Sequence, residues 1–489
     1  MIAEGTSSCS FKKPETVPGA GASCPLQVYG DTSFCIFHDP DPNKDAEAFQ
    51  HHFDDYLLPA RNSWDFTGFV FPNGLPSDFF MQYSFPTVFF IDAQFHNEFH
   101  ISGPLMVSTF AHFMRAEFFK DAKFAGKFGG PVIFSGANFH GEANFSIAEF
   151  SNDADFSGVR FYERADFSGA KFSHGANFGV SYEKLAGFER ETRFIREAIF
   201  ENVLFGGMGP TYFDLANFSG EANFSLSNFY GETKFRRTGF FDKAHFELAN
   251  FSKEINFIGS EQTGSFGDLA NFTQISRQSI GNIFFRNANL EKALFLGSDI
   301  SKVNFDNCKW AAHGSWPFKR TGLYEADYDK SELELNYRQL KKSFSDNADY
   351  AIAGDFHIGE MEMERTGLMA RDAYNRFPLE IYRWLSYYGE RWLRPLGILT
   401  VFLFFFVPIE MFSGVTLGSS TIHYSWAGEW DFWKFFNDFV TTLCHGLQVV
   451  TLQRPDAQDA PIFMVTIGSI IGPAMIAFSL LALRRRFKR

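Results

Sequence analysis

Phenylalanine punctuates most of this chain at gaps of five and six residues, and small residues keep time with it. The clearest run holds Phe134, Phe139, Phe145, Phe150, Phe156, Phe161, Phe167, Phe172 and Phe178. Two residues before most of them stands an alanine (Ala137, Ala143, Ala148, Ala154, Ala165, Ala170, Ala176), with Val159 among the exceptions. A second run covers Phe213, Phe218, Phe224, Phe229, Phe235, Phe240, Phe246, Phe251 and Phe257. The tail, Phe285, Leu290, Phe295, Ile300 and Phe305, keeps pure five-residue steps. The pattern begins near Phe66, passes Phe80, Phe85, Phe90 and Phe95, and is interrupted at 179–193, 206–212 and 258–265. These interruptions read as loops that bulge from one edge. A period of five fits neither a simple helix nor a simple strand. It fits a solenoid whose four-sided coil has short extended sides. The central Phe of each side points inward, and so does the residue two positions earlier, at the strand period of two. Alanine stands there because two large side chains per side would overfill a narrow tube. Asn138, Asn144 and Asp155 alternate with them and face water. Two gaps of five and two of six give a coil of about 22 residues, and some ten coils make a rod of roughly 50 Å.

Beyond the rod the period changes. Leu333, Tyr337, Leu340 and Phe344 follow helical spacing, and Ile352, Phe356 and Met363 continue a second helical face. The polar break Ser345-Asp346-Asn347-Ala348-Asp349 supplies turn and N-cap chemistry between them. The prediction is an αα-hairpin that caps the rod. Residues 376–392 mix Arg with Trp and Tyr, which suits a helix lying in a membrane interface, the alternative being a plain linker helix. Two apolar stretches then follow. Residues 396–412 are nearly unbroken, flawed by Glu410, and 462–483 carry no charge. A membrane-crossing helix needs about 20 apolar residues, so both read as spans, the alternative being two buried core helices. Between them, residues 430–447 place Trp433, Phe436, Val440, Leu443 and Leu447 on an apolar helix too short and too charged at its start to cross. A re-entrant helix is the economical reading.

The A-[ND]-F-S-G units, Ala143-Asn144-Phe145, Ala216-Asn217-Phe218-Ser219-Gly220 and Ala222-Asn223-Phe224, resemble the pentapeptide-repeat family over roughly 66–305. The resemblance implies a right-handed quadrilateral β-helix. The order span, half-helix, short loop, span over 396–489 resembles the two-transmembrane pore-loop cation channels. Thr451 to Asp456 can be laid on the potassium-channel filter T-V-G-Y-G-D, with Thr451 and Asp456 matching and both filter glycines replaced, by Gln453 and Pro455. That resemblance makes Gln448, Val449, Val450, Thr451, Leu452, Gln453, Arg454 and Asp456 the candidate filter, and implies a homo-oligomer of four copies passing permeant ions. The lost glycines argue against potassium selectivity. Gly468 and Gly472, four apart, with Pro473 beside them, offer either a hinge or a close helix contact.

Composition adjusts this picture at three points. The formal charge is −13, which argues against a broad nucleic-acid surface. Some pentapeptide-repeat rods mimic DNA and inhibit topoisomerases, but the tether and loops here argue against that use. Basic groups flank the spans on one side, Arg383, Arg391 and Arg394 before the first and Arg484 to Arg489 after the second. By the positive-inside rule they place the rod and the C-terminus in the cytoplasm, at the cell (inner) membrane, with a lipid bilayer as partner. Five cysteines are too few for a disulfide scaffold, and the bulk of the chain is expected in a reducing compartment. Cys9, Cys24, Cys35 and His38 nevertheless supply three thiols and an imidazole, the last two as C-x-x-H, and can close a tetrahedral structural zinc site. The alternative is free thiols and a surface histidine. His445 beside Cys444 can also bind metal, though helix packing is the simpler reading.

The expected organisation is an N-terminal segment (1–65), the β-helix (66–305), a helical linker (306–395) and a pore module (396–489), the last with spans near 396–412 and 462–483, a pore helix near 430–447 and a filter loop near 448–456. No Walker loop, dinucleotide fingerprint, H-E-x-x-H or G-x-S-x-G occurs, so an enzyme is not expected. The leading expectation is an oligomeric, cation-permeable channel whose cytoplasmic rod senses an unknown ligand or protein. The rival is a membrane-tethered interaction scaffold without a pore.

Overall fold

Phe124, Phe145, Phe167, Phe200, Phe224 and Phe246 form one column of parallel rings, with centroids 4.7, 4.8, 4.9, 4.7 and 5.0 Å apart. That is close to the spacing of neighbouring strands, so ring stack and backbone ladder enforce one another. The computed structural model describes residues 8–14, 21–57, 63–75, 87–107, 110–180, 190–259, 265–275, 283–315, 318–325, 328–368, 373–417, 420–425, 428, 431–453, 457–458 and 462–486. Two compact units result, Met1–Ala311 and Ala312–Arg489.

The first unit is a β-solenoid with four sides. Short parallel strands make one side from Trp64–Asp65 to Asn304–Asp306 and a second from Val70–Phe71 to Gly239–Phe240. The third and fourth sides are joined through the long strand Ala122–Phe128. Ala143 stands opposite Ala165 and Asn138 opposite Arg160, so one coil is 22 residues. The last coil is shorter, with Phe285 opposite Phe305. Neighbouring columns meet edge to face, as Phe145 meets Phe156 at 5.2 Å and 89°. The inward alanines are as buried as the rings. Phe80 and Phe85 lie outside the described residues.

The alternating gaps come from two kinds of corner. Five-residue corners are tight turns whose third residue is left-handed, as at Gly136, Ile147, Gly158 and Gly169. Several six-residue corners carry a glycine where the previous coil passes close. A Cβ on Gly141 would lie 2.5 Å from the Lys120 carbonyl carbon, and one on Gly220 2.5 Å from that of Arg196. The interruptions do not share one edge. The register of the flanking strands puts the breaks at 179–193 and 258–265 between strands of the first and second sides, and the break at 206–212 between strands of the fourth and first. Both kinds of corner accept insertions because the ladder bonds belong to the sides.

The first coil is covered by helix α1 (Ala46–Leu57), whose Phe49, Phe53 and Leu57 are buried. Phe53 meets Phe66 and Phe71 at 5.5 and 5.6 Å, and Phe37 stacks on Phe69 at 4.6 Å. The open end of the Phe columns is thereby shielded from water, the role of a terminal cap in a repeat protein.

In the second unit, α2 (Lys330–Asp346) and α3 (Tyr350–Gly367) form the αα-hairpin, and the Asp329 and Asp349 side chains cap their N-termini. Phe344 meets Phe356 at 5.3 Å, and a Cβ on Gly359 would stand 2.3 Å from the Tyr337 ring, so this glycine admits the tyrosine. Next come α4 (Ala373–Ser386), α5 (Leu393–Ser413), α6 (Phe432–Val450) and α7 (Ile462–Arg486). Strand Val415–Leu417 pairs with Ser420–Ile422 on one edge and Ala457–Gln458 on the other.

Among the described residues, helices α5 and α7 contain the two stretches long and apolar enough to cross a membrane. Only 33% of the first and 28% of the second is buried within the unit, unlike the core helix of a water-soluble domain. Val401, Phe404, Phe405 and Ile409 of α5 and Phe463, Ile470, Leu480 and Leu481 of α7 point outward.

Candidate functional site

The three cysteines and the histidine of the N-terminal segment come together. Their ligand atoms all lie within 4.8 Å of one another, and all four residues are buried. A single turn carries two of them, with the His38 and Asp39 amides both donating to the Cys35 carbonyl at 3.0 Å. Cys24 Sγ and Cys35 Sγ are 3.8 Å apart, Cys9 Sγ is 3.8 Å from His38 Nδ1, and Cys35 Sγ is 3.1 Å from it. A tetrahedron of zinc–sulfur bonds of about 2.3 Å has edges of about 3.8 Å, so the donor set fits a metal ion.

The surroundings prepare these donors. His38 Nε2 lies 3.1 Å from the Thr67 carbonyl, which can only accept, so the proton belongs on Nε2 and Nδ1 offers its lone pair to the cluster. Phe11 stacks on the imidazole at 3.9 Å, and Gly68 makes room for it: a Cβ there would lie 2.4 Å from the Phe11 ring. The Cys35 amide donates to Cys9 Sγ at 3.2 Å. The thiol hydrogen bond between Cys24 and Cys35, with burial, pushes the Cys35 thiol up to about 12, while the same hydrogen bond lowers Cys24. A metal held by these donors would take the cysteines as thiolates, with their thiol protons released to solvent. Thr67 and Gly68 belong to the first coil, so the cluster ties the N-terminal segment to the solenoid.

The second region of interest is the packing of α5, α6 and α7. The Asp431 side chain caps α6 by accepting from the Trp433 and Lys434 amides at 2.8 and 3.1 Å. Gly446 brings α6 against α5; a Cβ there would lie 3.1 Å from Leu403 and 3.2 Å from Phe406. Gly468 and Gly472 bring α7 against the end of α6. A Cβ at 468 would stand 2.9 Å from Val449, and one at 472 would stand 2.3 Å from Val450. The G-x-x-x-G pair therefore makes a close helix contact. Pro473 lies inside α7 and removes one donor from its ladder.

Gln448, Val449 and Val450, expected in the filter loop, form the last turn of α6. Their continuation is a Schellman closure: Gln453 N donates to the Gln448 carbonyl at 2.9 Å and Leu452 N to the Val449 carbonyl at 3.2 Å, with Leu452 left-handed at φ 58°. The Thr451 hydroxyl also reaches the Leu447 and Gln448 carbonyls, at 2.8 and 3.2 Å. Carbonyls engaged in this way are not displayed in a row. Arg454, Pro455 and Asp456 lie outside the described residues.

Sequence reasoning left one pair unmatched. Glu410, the flaw in the first apolar run, is fully buried, and its Oε2 lies 2.9 Å from Nδ1 of the buried His445. Each was visible as an ionisable residue in an apolar helix, and such residues commonly pair. Cys444 is exposed and points away, so it does not join His445 in a metal cluster. At the start of α5, the basic residues gather on Phe318: the Arg383 and Arg394 guanidiniums each stand 4.4 Å from its ring centre, while Arg383 pairs with Glu362 and Arg391 with Asp355. Tyr374, Phe377, Ile381 and Trp384 form an exposed face of α4.

A family profile described as pentapeptide repeats (9 copies) matches residues 128–181. No curated protein matches the chain, and no solved structure does. The chain thus carries a pentapeptide-repeat β-solenoid, a fold that generally serves as a non-catalytic scaffold or interaction domain. The same chain continues into a helical region with two candidate membrane-spanning helices and, at its other end, holds a cluster able to chelate a metal ion.

Proposed function

We propose that this protein is a membrane-anchored pentapeptide-repeat scaffold. The observation that carries the reading is the outward apolar surface of α5 and α7 on a chain whose other unit is a rod with a closed core. The bilayer is the natural cover for that surface. Arg383, Arg391, Arg394 and the basic C-terminal residues favour a cytoplasmic rod and C-terminus, and the exposed aromatic face of α4 suits the membrane interface. The rod offers its outer ladders to a cytoplasmic ligand or protein. A structural zinc at Cys9, Cys24, Cys35 and His38 fastens the cap to the first coil. The test is alkaline carbonate extraction of membranes from cells making the full chain. Retention in the pellet with release by detergent is expected, and release by carbonate alone overturns the anchor.

A second reading, a homotetrameric cation pore, is favoured by the seating of α6 against both apolar helices through Gly446, Gly468 and Gly472. The pairing of Ala457–Gln458 with Val415–Leu417 also returns the segment after α6 towards the end of α5. In this reading the filter residues through Asp456 would line the axis. The engaged carbonyls of Gln448 and Val449 weigh against it. Ion flux in proteoliposomes, together with fourfold particle symmetry, would support the pore. A non-conducting monomer or dimer would leave the scaffold.

A further inference from the structure

Glu410 and His445 join α5 to α6 where no water reaches, and neither is fully satisfied. Glu410 is 0% and His445 2% exposed. Beyond the 2.9 Å contact between Oε2 and Nδ1, Glu410 Oε1 and His445 Nε2 have no hydrogen-bond partner among the described residues. Phe406, Val407 and Met411 around the carboxylate are wholly buried. A pair kept only for packing would be better replaced by apolar side chains of similar size. A pair that exchanges protons needs what is seen here: two titratable groups, one bridging contact and spare lone-pair and N–H capacity.

We propose that Glu410 and His445 form a proton-binding site that links pH to the seating of α6 on α5. With one proton on the pair the net charge is zero. A second proton leaves a buried positive charge, and loss of the first leaves a buried negative one. Either state is costly away from water and is relieved when α6 lifts and hydrates the site. The proton goes to or comes from solvent, and no covalent bond changes. Other titratable groups are few on the elements packed here. Helix α5 has only Arg394 at its far end, and α7 has Arg484, Arg485 and Arg486 at its end. Helix α6 has Lys434, Asp438 and the exposed Cys444 thiol, and the Asp438 carboxylate accepts from the Tyr424 hydroxyl at 2.7 Å. His423 packs at Gly414, after the end of α5. None of the described side chains among these contacts the pair. The inference concerns the helical unit alone and holds whether that unit anchors or conducts, so the carbonate test does not bear on it.

The test uses two thiols on one helix. Thr442 is wholly buried on α6 and Cys444 is exposed. In full-length Thr442→Cys protein, both are labelled with dithiodipyridine, and their ratio is read by fragment-ion mass spectrometry, which cancels the thiol chemistry. Going from about pH 7 to about pH 5, the ratio of buried to exposed labelling is expected to rise about threefold or more. In the added background Glu410→Leu/His445→Leu it is expected to stay flat. No rise with the native pair overturns the proposal, and so does an equal rise in the leucine background. Should the leucine variant fail to fold, Glu410→Gln decides: a displaced midpoint supports the site, and an unchanged one overturns it.

Discussion

Gly472 stands so close to Val450 that a β-carbon added to it would lie 2.3 Å from the valine Cβ and 2.5 Å from its carbonyl oxygen. The obstacle is helix backbone, which cannot step aside as a side chain can. Gly472→Ala is therefore expected to push α7 off α6 and to cost about 1–3 kcal/mol, the usual range for overpacking. Gly468→Ala meets a Val449 methyl group at 2.9 Å and should cost less. Thermal unfolding of both variants in detergent ranks them, and equal stability of Gly472→Ala and the native protein would refute the contact.

The metal cluster predicts a stoichiometry. Purified protein should carry about one zinc per chain by elemental analysis. Cys35→Ser or His38→Ala should abolish it and lower the unfolding midpoint of the solenoid, because the cap is no longer tied to Thr67. Chelator should reproduce the shift in native protein and leave the variants unmoved.

Corner conformation predicts a stabilising change. Ile147 holds a left-handed backbone at φ 57° while its side chain is 70% exposed, and Gly169 occupies the same corner one coil on at φ 66°. Left-handed backbone costs an L-residue roughly 1–2 kcal/mol, partly offset by the extra freedom of glycine in the unfolded chain. Ile147→Gly should gain about 0.5–1 kcal/mol and Gly169→Ala should lose about 1 kcal/mol, read from denaturant midpoints.

The helical hairpin should weaken in acid. Burial pushes the Glu360 carboxyl up, but His357, Lys341 and Arg338 outweigh it and hold the group at about 2. A depressed carboxyl contributes stability above its unfolded value of about 4.3 and loses it as pH falls towards the folded value. The second unit should thus lose stability between about pH 4 and pH 2. Arg338 is 56% exposed, so screening limits the contribution to roughly 1–2 kcal/mol. Glu360→Gln should lower the neutral-pH midpoint and flatten this acid limb, as followed by circular dichroism against pH.

The rod was legible because a solenoid repeats its environment. Every side of every coil asks for the same Phe and the same small residue, so spacing alone reveals the four-sided tube, as Phe145 and Ala143 illustrate. The hairpin was legible for a similar local reason: the Asp349 cap and the Leu333–Phe344 face lie within a few turns of one another. The metal donors were visible as residue types, but the gaps from Cys9 to Cys24 to Cys35 did not fix their convergence. Folding closed the cluster by seating it on Thr67 and Gly68 of the first coil.

What the chain alone could not settle lies where distant segments meet. Two apolar helices and a shorter one between them are apparent from hydropathy. That α6 runs on through Val450, with the Gln448 and Val449 carbonyls engaged in its closing turn, depended on the glycine face of α7 receiving its last turn. The bond between Glu410 and His445 likewise required α5 and α6 to pack side by side. Periodicity encodes contacts that recur at a fixed chain distance. Contacts that occur once, between segments with no shared period, are decided by how the surfaces fit.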